Sequence, residues 1–363
     1  MTSHCGENIK ISIFGESHGE EIGVIVEGLP AGKTIDIEKL EAFLARRAPG
    51  KNEYSTARKE ADKPEIVSGM ENGGLSGETF KAVIRNTNKR SGDYDKLKFV
   101  PRPGHADFTA RIKYGESVDL RGGGHFSGRL TAPLCIAGGI CMQLLSELGI
   151  EIGAHASAIA GVQDDRFDPV KVDKSVLDSV KSAGFPVLNA EAGKKMREAI
   201  AAAKSDGDSV GGVIECAVVG LPIGLGGPMF AGLEGRIAQI VFGVPAVKGI
   251  EFGAGFEAAE MRGSAHNDPF IVENDEIRTA GNNHGGILGG ISSGMPLIFR
   301  AAVKPTPSID KEQDSVDIQN KTAVKLTIGG RHDPCIIPRA VPCIEAAAAI
   351  AIYDAYMDYI KER

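Results

Sequence analysis

Much that would assign this 363-residue chain quickly is missing from it. No uninterrupted apolar run reaches the roughly 18 residues that a membrane-crossing helix needs, so no transmembrane segment is expected. The start, MTSHCGENIK, has no basic stretch followed by an apolar one, and no secretory signal is expected. No CxxC pair occurs among the six scattered cysteines, Cys5, Cys135, Cys141, Cys216, Cys335 and Cys343. Several sit in apolar runs, which points to reduced core thiols in a cytoplasmic protein rather than disulfides or a zinc site. Neither HxH nor HExxH appears among the eight histidines, so no metal is expected. A basic surplus is lacking too: the net charge of −7 argues against nucleic acid as a partner.

Glycine, by contrast, is abundant at 47 residues, with no repeat period. Its use implies many turns or close backbone approaches to a ligand. The densest polar stretch is Arg102–Arg129, RPGHADFTARIKYGESVDLRGGGHFSGR. Buried charges are costly unless paired, so this is not ordinary core. Pro101, Pro103 and the glycines argue against a plain helix, and loops with short strands around an anion are expected.

Ile9–Phe14 and Ile22–Glu27 read as strands of a hairpin with Ser17 and His18 at its GESHG tip. Asp36 is placed to cap a helix through Arg47, whose closing Arg46-Arg47 pair also suits the helix dipole. Residues 65–69 and 79–85 read as strands. Ala132–Leu148 and Val341–Ile360 are helical in length but apolar almost all round, so they belong between layers. Further helices are expected at Ala192–Lys204 and Ala231–Phe242, and strands at Gly212–Val219, Val247–Gly253 and Leu297–Lys304. Residues 164–208 form a polar, peripheral helical excursion. Glycine strings at 121–128 and 281–294 hint at internal similarity. No linker divides the chain, which reads as one α+β unit with helices buried under antiparallel strands.

Four polar turns offer chemistry. His18, on a glycine-flanked tip, suits proton transfer, though a solvated loop histidine is the plainer alternative. His105 and Asp107 are spaced for opposite faces of an extended segment, so no dyad between them is implied. Gly122-Gly123-Gly124 with Ser127, Gly128 and Arg129 suits an anion cradled by backbone N–H groups. No GK[ST] follows and no dinucleotide fingerprint is present, so neither a P-loop nor a Rossmann site is supported. Gly329-Gly-Arg-His-Asp-Pro-Cys335 places Arg331 beside Asp333, and Lys304-Pro305-Thr306-Pro307-Ser308 ends a strand with a cation and hydroxyls.

These residues, taken in order, resemble the chorismate synthase family. The likeness runs through Gly15-Glu-Ser-His-Gly19, Arg102-Pro-Gly-His-Ala-Asp107, Arg121-Gly-Gly-Gly124 and Ala246-Val-Lys-Gly-Ile-Glu251. It continues through Met261-Arg-Gly-Ser264, Asn283–Gly294, Lys304-Pro-Thr306 and Arg331-His-Asp-Pro-Cys335, covering nearly the whole chain. The resemblance implies a single domain over 1–363, a β-α-β sandwich with helices between two antiparallel sheets, and a homotetramer. It implies a cytoplasmic lyase of the shikimate pathway of aromatic amino acid biosynthesis. That enzyme eliminates phosphate, anti and 1,4, from 5-enolpyruvylshikimate 3-phosphate with reduced FMN as a transient electron donor.

By the same resemblance Arg47, Arg129 and Arg331 hold substrate anions, with Arg58 a lesser candidate, and His18 protonates the departing phosphate. His105 serves the reduced flavin, and Asp333, with Ser17 and Ser127, handles a flavin proton. His125, Phe126, Ser127, Ala246, Gly289, Lys304 to Ser308 and Arg331 contact FMN. The chain departs from the pattern at His125 and Phe126, where the family commonly has arginine and serine, and at Glu53, Pro245 and Cys343. Two rivals follow: an enzyme that also reduces its own flavin with NADPH, and a non-catalytic anion-binding module. Without a dinucleotide fingerprint, an external flavin reductant is expected.

Overall fold

The computed structural model describes residues 1–50, 62–86, 99–329 and 332–363. One five-stranded antiparallel sheet holds β1 (Thr2–Cys5), β2 (Lys10–Gly15), β3 (Glu21–Glu27), β4 (Glu65–Ser68) and β5 (Phe80–Arg85), in the order β1-β2-β3-β5-β4. A second holds β6 (Glu151–Ile159), β7 (Val162–Gln163), β8 (Gly212–Val219), β9 (Val247–Phe252) and β10 (Leu297–Val303), in the order β9-β10-β8-β6-β7. The helices of two turns or more are α1 (Ile37–Arg47), α2 (Asp107–Tyr114), α3 (Thr131–Glu147), α4 (Lys174–Ser182), α5 (Ala190–Ser205), α6 (Leu233–Val241) and α7 (Ile337–Lys361). The fold is α+β, a β-α-β sandwich. α3 packs on the first sheet and α7 on the second, with α1 and α6 flanking them.

The two apolar helices make the middle layer for a plain reason. α3 and α7 have no polar stripe, so neither has a face to give to water. By length and composition Gly128–Glu147 and α7 would suffice to cross a membrane, yet both are mostly buried between the sheets. They touch through small residues: a methyl added to Gly138 would lie 2.4 Å from the Cα of Ala346. The one acid in the middle of α7, Glu345, is fully buried and matched. It accepts two hydrogen bonds from Arg46, at 2.5 and 3.0 Å, and one from the Ala154 N–H at 2.9 Å. One hydrophobic cluster runs through both sheets and this layer, from Ile9 to Ala355.

The two sheets have the same topology. β2-β3-α1-β4-β5-α3 is matched by β6-β8-α6-β9-β10-α7, and the four main strands lie in the order β2-β3-β5-β4 in one sheet and β6-β8-β10-β9 in the other. The halves therefore repeat, but not where the glycine strings hinted. The string at 121–128 precedes α3, whereas 281–294 lies between β9 and β10. By position in the topology, the counterpart of RGGGHFSGR is the segment ahead of α7 that carries His332 and Asp333.

Residues 102–129 also differ from expectation. They contain α2 and two 3₁₀ stretches, Arg121–Phe126 and Gly128–Leu130, and no strand. The glycines that argued against a helix stand outside it, with Gly104 before α2 and Gly115 as its C-cap. β1, at the very start, was not anticipated. The 164–208 segment lies against the outer face of the second sheet. There Phe167, Leu177 and Val180 form a small core with Ala217 and Ile298. Asp164 fastens it by accepting from the N–H groups of Leu188 and Asn189 and by contacting the buried His155 at 3.0 Å.

Candidate active site

A cavity of about 1010 Å³ opens where the loops ahead of α3 and α7 meet the C-terminal ends of α1 and α6. His18 reaches it from the β2–β3 tip. That tip is a turn closed by Gly19 N–H to the Glu16 carbonyl at 2.9 Å and braced by Asn86 on the Glu16 and Gly19 carbonyls. The Ser17 N–H donates to Gly124 O at 3.1 Å, which joins the tip to the glycine string.

The string does more than bend. A Cβ on Gly122 would lie 2.1 Å from His18 Cε1 and 2.2 Å from its Nδ1, and one on Gly123 would lie 3.1 Å from His105 Nε2. Both glycines have positive φ, 58° and 92°. Glycine is thus required twice over, for conformation and for the two imidazoles packed against bare backbone.

His105 is aimed by a dyad that spacing did not imply. Its Nδ1 lies 2.7 Å from Asp107 Oδ1, because the segment enters α2 through a turn and is not extended. Asp107 also accepts from Arg102, at 3.0 Å from its N–H, 2.6 Å from Nε and 2.7 Å from Nη2. Burial alone would raise the Asp107 carboxyl. The hydrogen bonds from Arg102 and His105 and the Arg102 charge outweigh that and hold it well below the ordinary carboxylate range. An ionised carboxylate at 2.7 Å favours the proton on His105 Nδ1, which leaves Nε2 as an acceptor.

Arg47 and Arg129 stand side by side, and the reason is Asp62. One Asp62 oxygen takes a hydrogen bond from Arg47 Nη1 at 2.5 Å, and the other pairs with Arg129. Burial opposes the Asp62 charge, but both guanidinium groups together lower its carboxyl. Arg47 is further held by the Thr131 hydroxyl at 3.0 Å and the Gly128 carbonyl at 2.9 Å. These contacts give Arg47 a reason to be buried that helix capping would not.

The second half closes the cavity. Lys304 donates to the Gly104 carbonyl at 2.8 Å, tying its loop to the Arg102 turn. Burial, with Lys248 adding to it, pushes its ammonium below the usual value. Asp333 pairs with Arg339, whose Nε donates to the Arg47 carbonyl at 3.0 Å. Ala246 lines the cavity at φ 76°, a strained conformation for alanine, held by Lys304 N–H on its carbonyl at 2.9 Å.

Phe126, Ser127, Thr306, Pro307 and Ser308 also line the cavity. The Ser127 hydroxyl accepts from the Arg129 N–H at 3.3 Å as a cap of the second 3₁₀ stretch. Phe126 leans on Tyr114 with ring centroids 6.2 Å apart. His125 is at the wall but tethered by both ring nitrogens, to the Gly15 carbonyl and the Ser3 hydroxyl, each at 2.8 Å. Ser17 is buried just behind His18, while Pro305 and Gly289 are not on the wall, Gly289 lying in the hairpin of Ile287–Ser292. Arg331, Arg58 and Glu53 lie outside the described residues.

Asp62, Asn86, Arg102 and Arg339 were missed. Arg339 had a visible signal, a cation at the start of an apolar helix. Asp62 and Asn86 had none, since their partners are distant in sequence.

The cavity therefore belongs to a definable class. It is an arginine-lined cavity with two oriented imidazoles, carried on a two-sheet α+β sandwich. A family profile described as chorismate synthase matches residues 9–357. A chorismate synthase of Lancefieldella parvula is 46% identical, over 100% of this chain and 98% of its own length. That of Korarchaeum cryptofilum is 44% identical, over 97% and 96%. A solved structure described as "Crystal Structure of Chorismate Synthase" superposes with a TM-score of 0.76 at 27% identity, covering 98% of this chain and 93% of that one. The chain belongs to the chorismate synthase family.

Proposed function

We propose that this chain converts 5-enolpyruvylshikimate 3-phosphate to chorismate by 1,4-elimination of phosphate, with reduced FMN bound in the same cavity. The observation that carries the reading is the pair of imidazoles, His18 and His105, packed on Gly122 and Gly123 beside the bridged Arg47 and Arg129. A phosphorylated dicarboxylate needs several cations, and Arg47 and Arg129 offer planar donors for its oxygens. Arg331 joins them on the strength of the family pattern.

His18 is assigned as the general acid that protonates the departing phosphate. The cavity fits a flavin mononucleotide in size and in chemistry. Thr306 Oγ1 and His332 Nε2, both of wall residues, and Ser17 Oγ behind them find no hydrogen-bond partner among the described residues. When bound, the reduced flavin supplies transient electron density to the bond being broken. Lys304, Thr306 and Ser308 are assigned to its anionic chain and the Phe126 wall to its ring. His105, whose Nε2 would take up a proton, would as the imidazolium balance the charge of the reduced ring. Asp333, set by Arg339 and helped by Ser17 and Ser127, moves the accompanying proton. His125 contributes through its tether to Gly15 more than through direct binding. Exposed Met229, Phe230 and Phe256, and the Phe270–Glu273 strand, give apolar surface for a homotetramer.

The test is an anaerobic assay with dithionite-reduced FMN and 5-enolpyruvylshikimate 3-phosphate. Stoichiometric phosphate and chorismate are expected, and phosphate release at the blank rate would overturn the reading. An aerobic run with NADPH and no other reductant should show no sustained turnover if the flavin is reduced elsewhere.

A further inference from the structure

Two thiols meet where the central helices begin. Cys135 on α3 and Cys343 on α7 have their sulfurs 3.9 Å apart, and Cys135 Sγ also lies 3.9 Å from the Pro342 carbonyl. The approach is enforced one turn along each helix, where Gly138 and Ala346 leave no room between the backbones. Cys343 donates to the Arg339 carbonyl at 3.4 Å and lines the cavity with Thr131, Arg47 and Arg339. It is the one cysteine on that wall.

Electrostatics separate Cys343 from the others. Burial pushes the thiols of Cys141, Cys216 and Cys335 up. Cys343 is drawn the other way, by the hydrogen bond from Cys135 and, against its burial, by Arg47, Thr131 and Arg339. A thiol drawn below its ordinary value on a cavity wall, with a second sulfur behind it, has the features of a peroxide-reactive pair.

We propose that Cys343 and Cys135 form a reversible disulfide on exposure to a hydroperoxide, and that the bond loosens the Arg47 side of the anion site. Cys343 sulfur attacks the peroxide O–O bond, giving a sulfenic acid and one water. Cys135 sulfur then displaces the hydroxyl as a second water, so two thiols lose two electrons and one peroxide gains them. The sulfurs must close from 3.9 Å to about 2.05 Å. Closure draws Cys343 off the Arg339 carbonyl and away from Thr131, the hydroxyl that holds Arg47 Nε. The bond itself is independent of the proposed reaction, and only its effect on turnover rests on that reading.

The test exposes the reduced full chain to hydrogen peroxide without flavin, then alkylates it under denaturing conditions and maps its peptides. A Cys135–Cys343 linked peptide, removed by dithiothreitol, is expected. Calorimetric affinity for inorganic phosphate should weaken by about threefold to tenfold on oxidation and recover on reduction. In Cys343→Ala the link and the peroxide response should both vanish. In Cys135→Ala, Cys343 should proceed to sulfinic acid, which dithiothreitol does not reverse. Both cysteines alkylated after peroxide, a link to another cysteine, or a Cys343→Ala variant as peroxide-sensitive as the parent would each overturn the proposal. Reduced protein that binds no phosphate would count against the functional reading, while the linked peptide would still decide the disulfide.

Discussion

The two halves of the molecule share a topology and do different work with it. In the first, the β2–β3 connection is a five-residue tip that brings His18 to the cavity. In the second, the equivalent β6–β8 connection has grown into β7, α4 and α5, which cover the outside of their sheet and stay off the cavity. The segment ahead of α3 carries Arg102, His105, His125 and Arg129. The segment ahead of α7 carries His332 and Asp333, and the first turn of α7 carries Arg339. Two histidines sharpen the contrast. His105 in the first half has one ring nitrogen tied to a carboxylate and stands on the cavity wall. His155 in the second has both ring nitrogens against acids, Asp164 and Glu215, and serves the packing of its sheet. A repeated frame thus leaves one copy free to set imidazoles and the other to set the floor and the fastening.

The comparison breaks most visibly at His18. His18→Ala should lower turnover by roughly 10²–10⁴-fold under saturating substrate and reduced FMN, and a near-normal kcat would remove it as general acid. Next comes the glycine that accommodates it. Gly122→Ala would drive a methyl into the imidazole and should cost on the order of 10²-fold in kcat, together with at least the roughly 1 kcal/mol of stability that a positive φ costs alanine. Gly161, at φ 82° in the β6–β7 turn of the second half, has nothing within 4 Å of where its Cβ would be. Gly161→Ala should lose only about 1 kcal/mol of stability and leave turnover alone, so equal effects of the two changes would erase the distinction between halves.

A smaller effect is expected at Asp62. Asp62→Asn leaves the Arg47 and Arg129 charges without their bridge. KM for substrate should rise about tenfold while kcat moves less, and a fall in kcat alone would mean the carboxylate has another role. The smallest effect is on acid stability. Asp107 is held below its ordinary value, so its contribution is complete above about pH 4 and is lost as pH falls toward the folded value. Asp107→Asn should lower stability near neutral pH by about 1.5–3 kcal/mol and flatten the acid limb of the unfolding midpoint against pH. A limb of unchanged slope would show that Asp107 does not carry it.

How much of this was legible depended on range. The helix cap at Asp36, most strands of the two sheets and the two core helices were readable because each rests on local pattern, whereas β1, β6 and β7 were not read. An apolar stretch with no polar face has one place to go. The GESHG tip and the arginine-bearing loops were readable as polar turns for the same reason. Residues 102–129 were misjudged because glycine and proline were counted and their positions were not: at the edges of α2 they start and stop a helix. His105 and Asp107 were parted by an extended backbone that the turn into α2 does not provide. Asp62, far in sequence from Arg129, and Asn86 could not be read, since ionic pairing between distant segments leaves no periodicity behind.

One contact near the end of the chain bears on how the cavity comes into being. Asp354, late in α7, accepts from the backbone N–H groups of Glu7, Asn8 and Ile9 at 3.1, 2.7 and 2.8 Å. Those residues lead from β1, whose Thr2 and Ser3 form part of the wall and whose Ser3 hydroxyl meets His125. Such a closure joins segments 345 residues apart in sequence, so this part of the cavity wall is set only once α7 has met the strand-leading turn, a long-range pairing that local structure does not bring about.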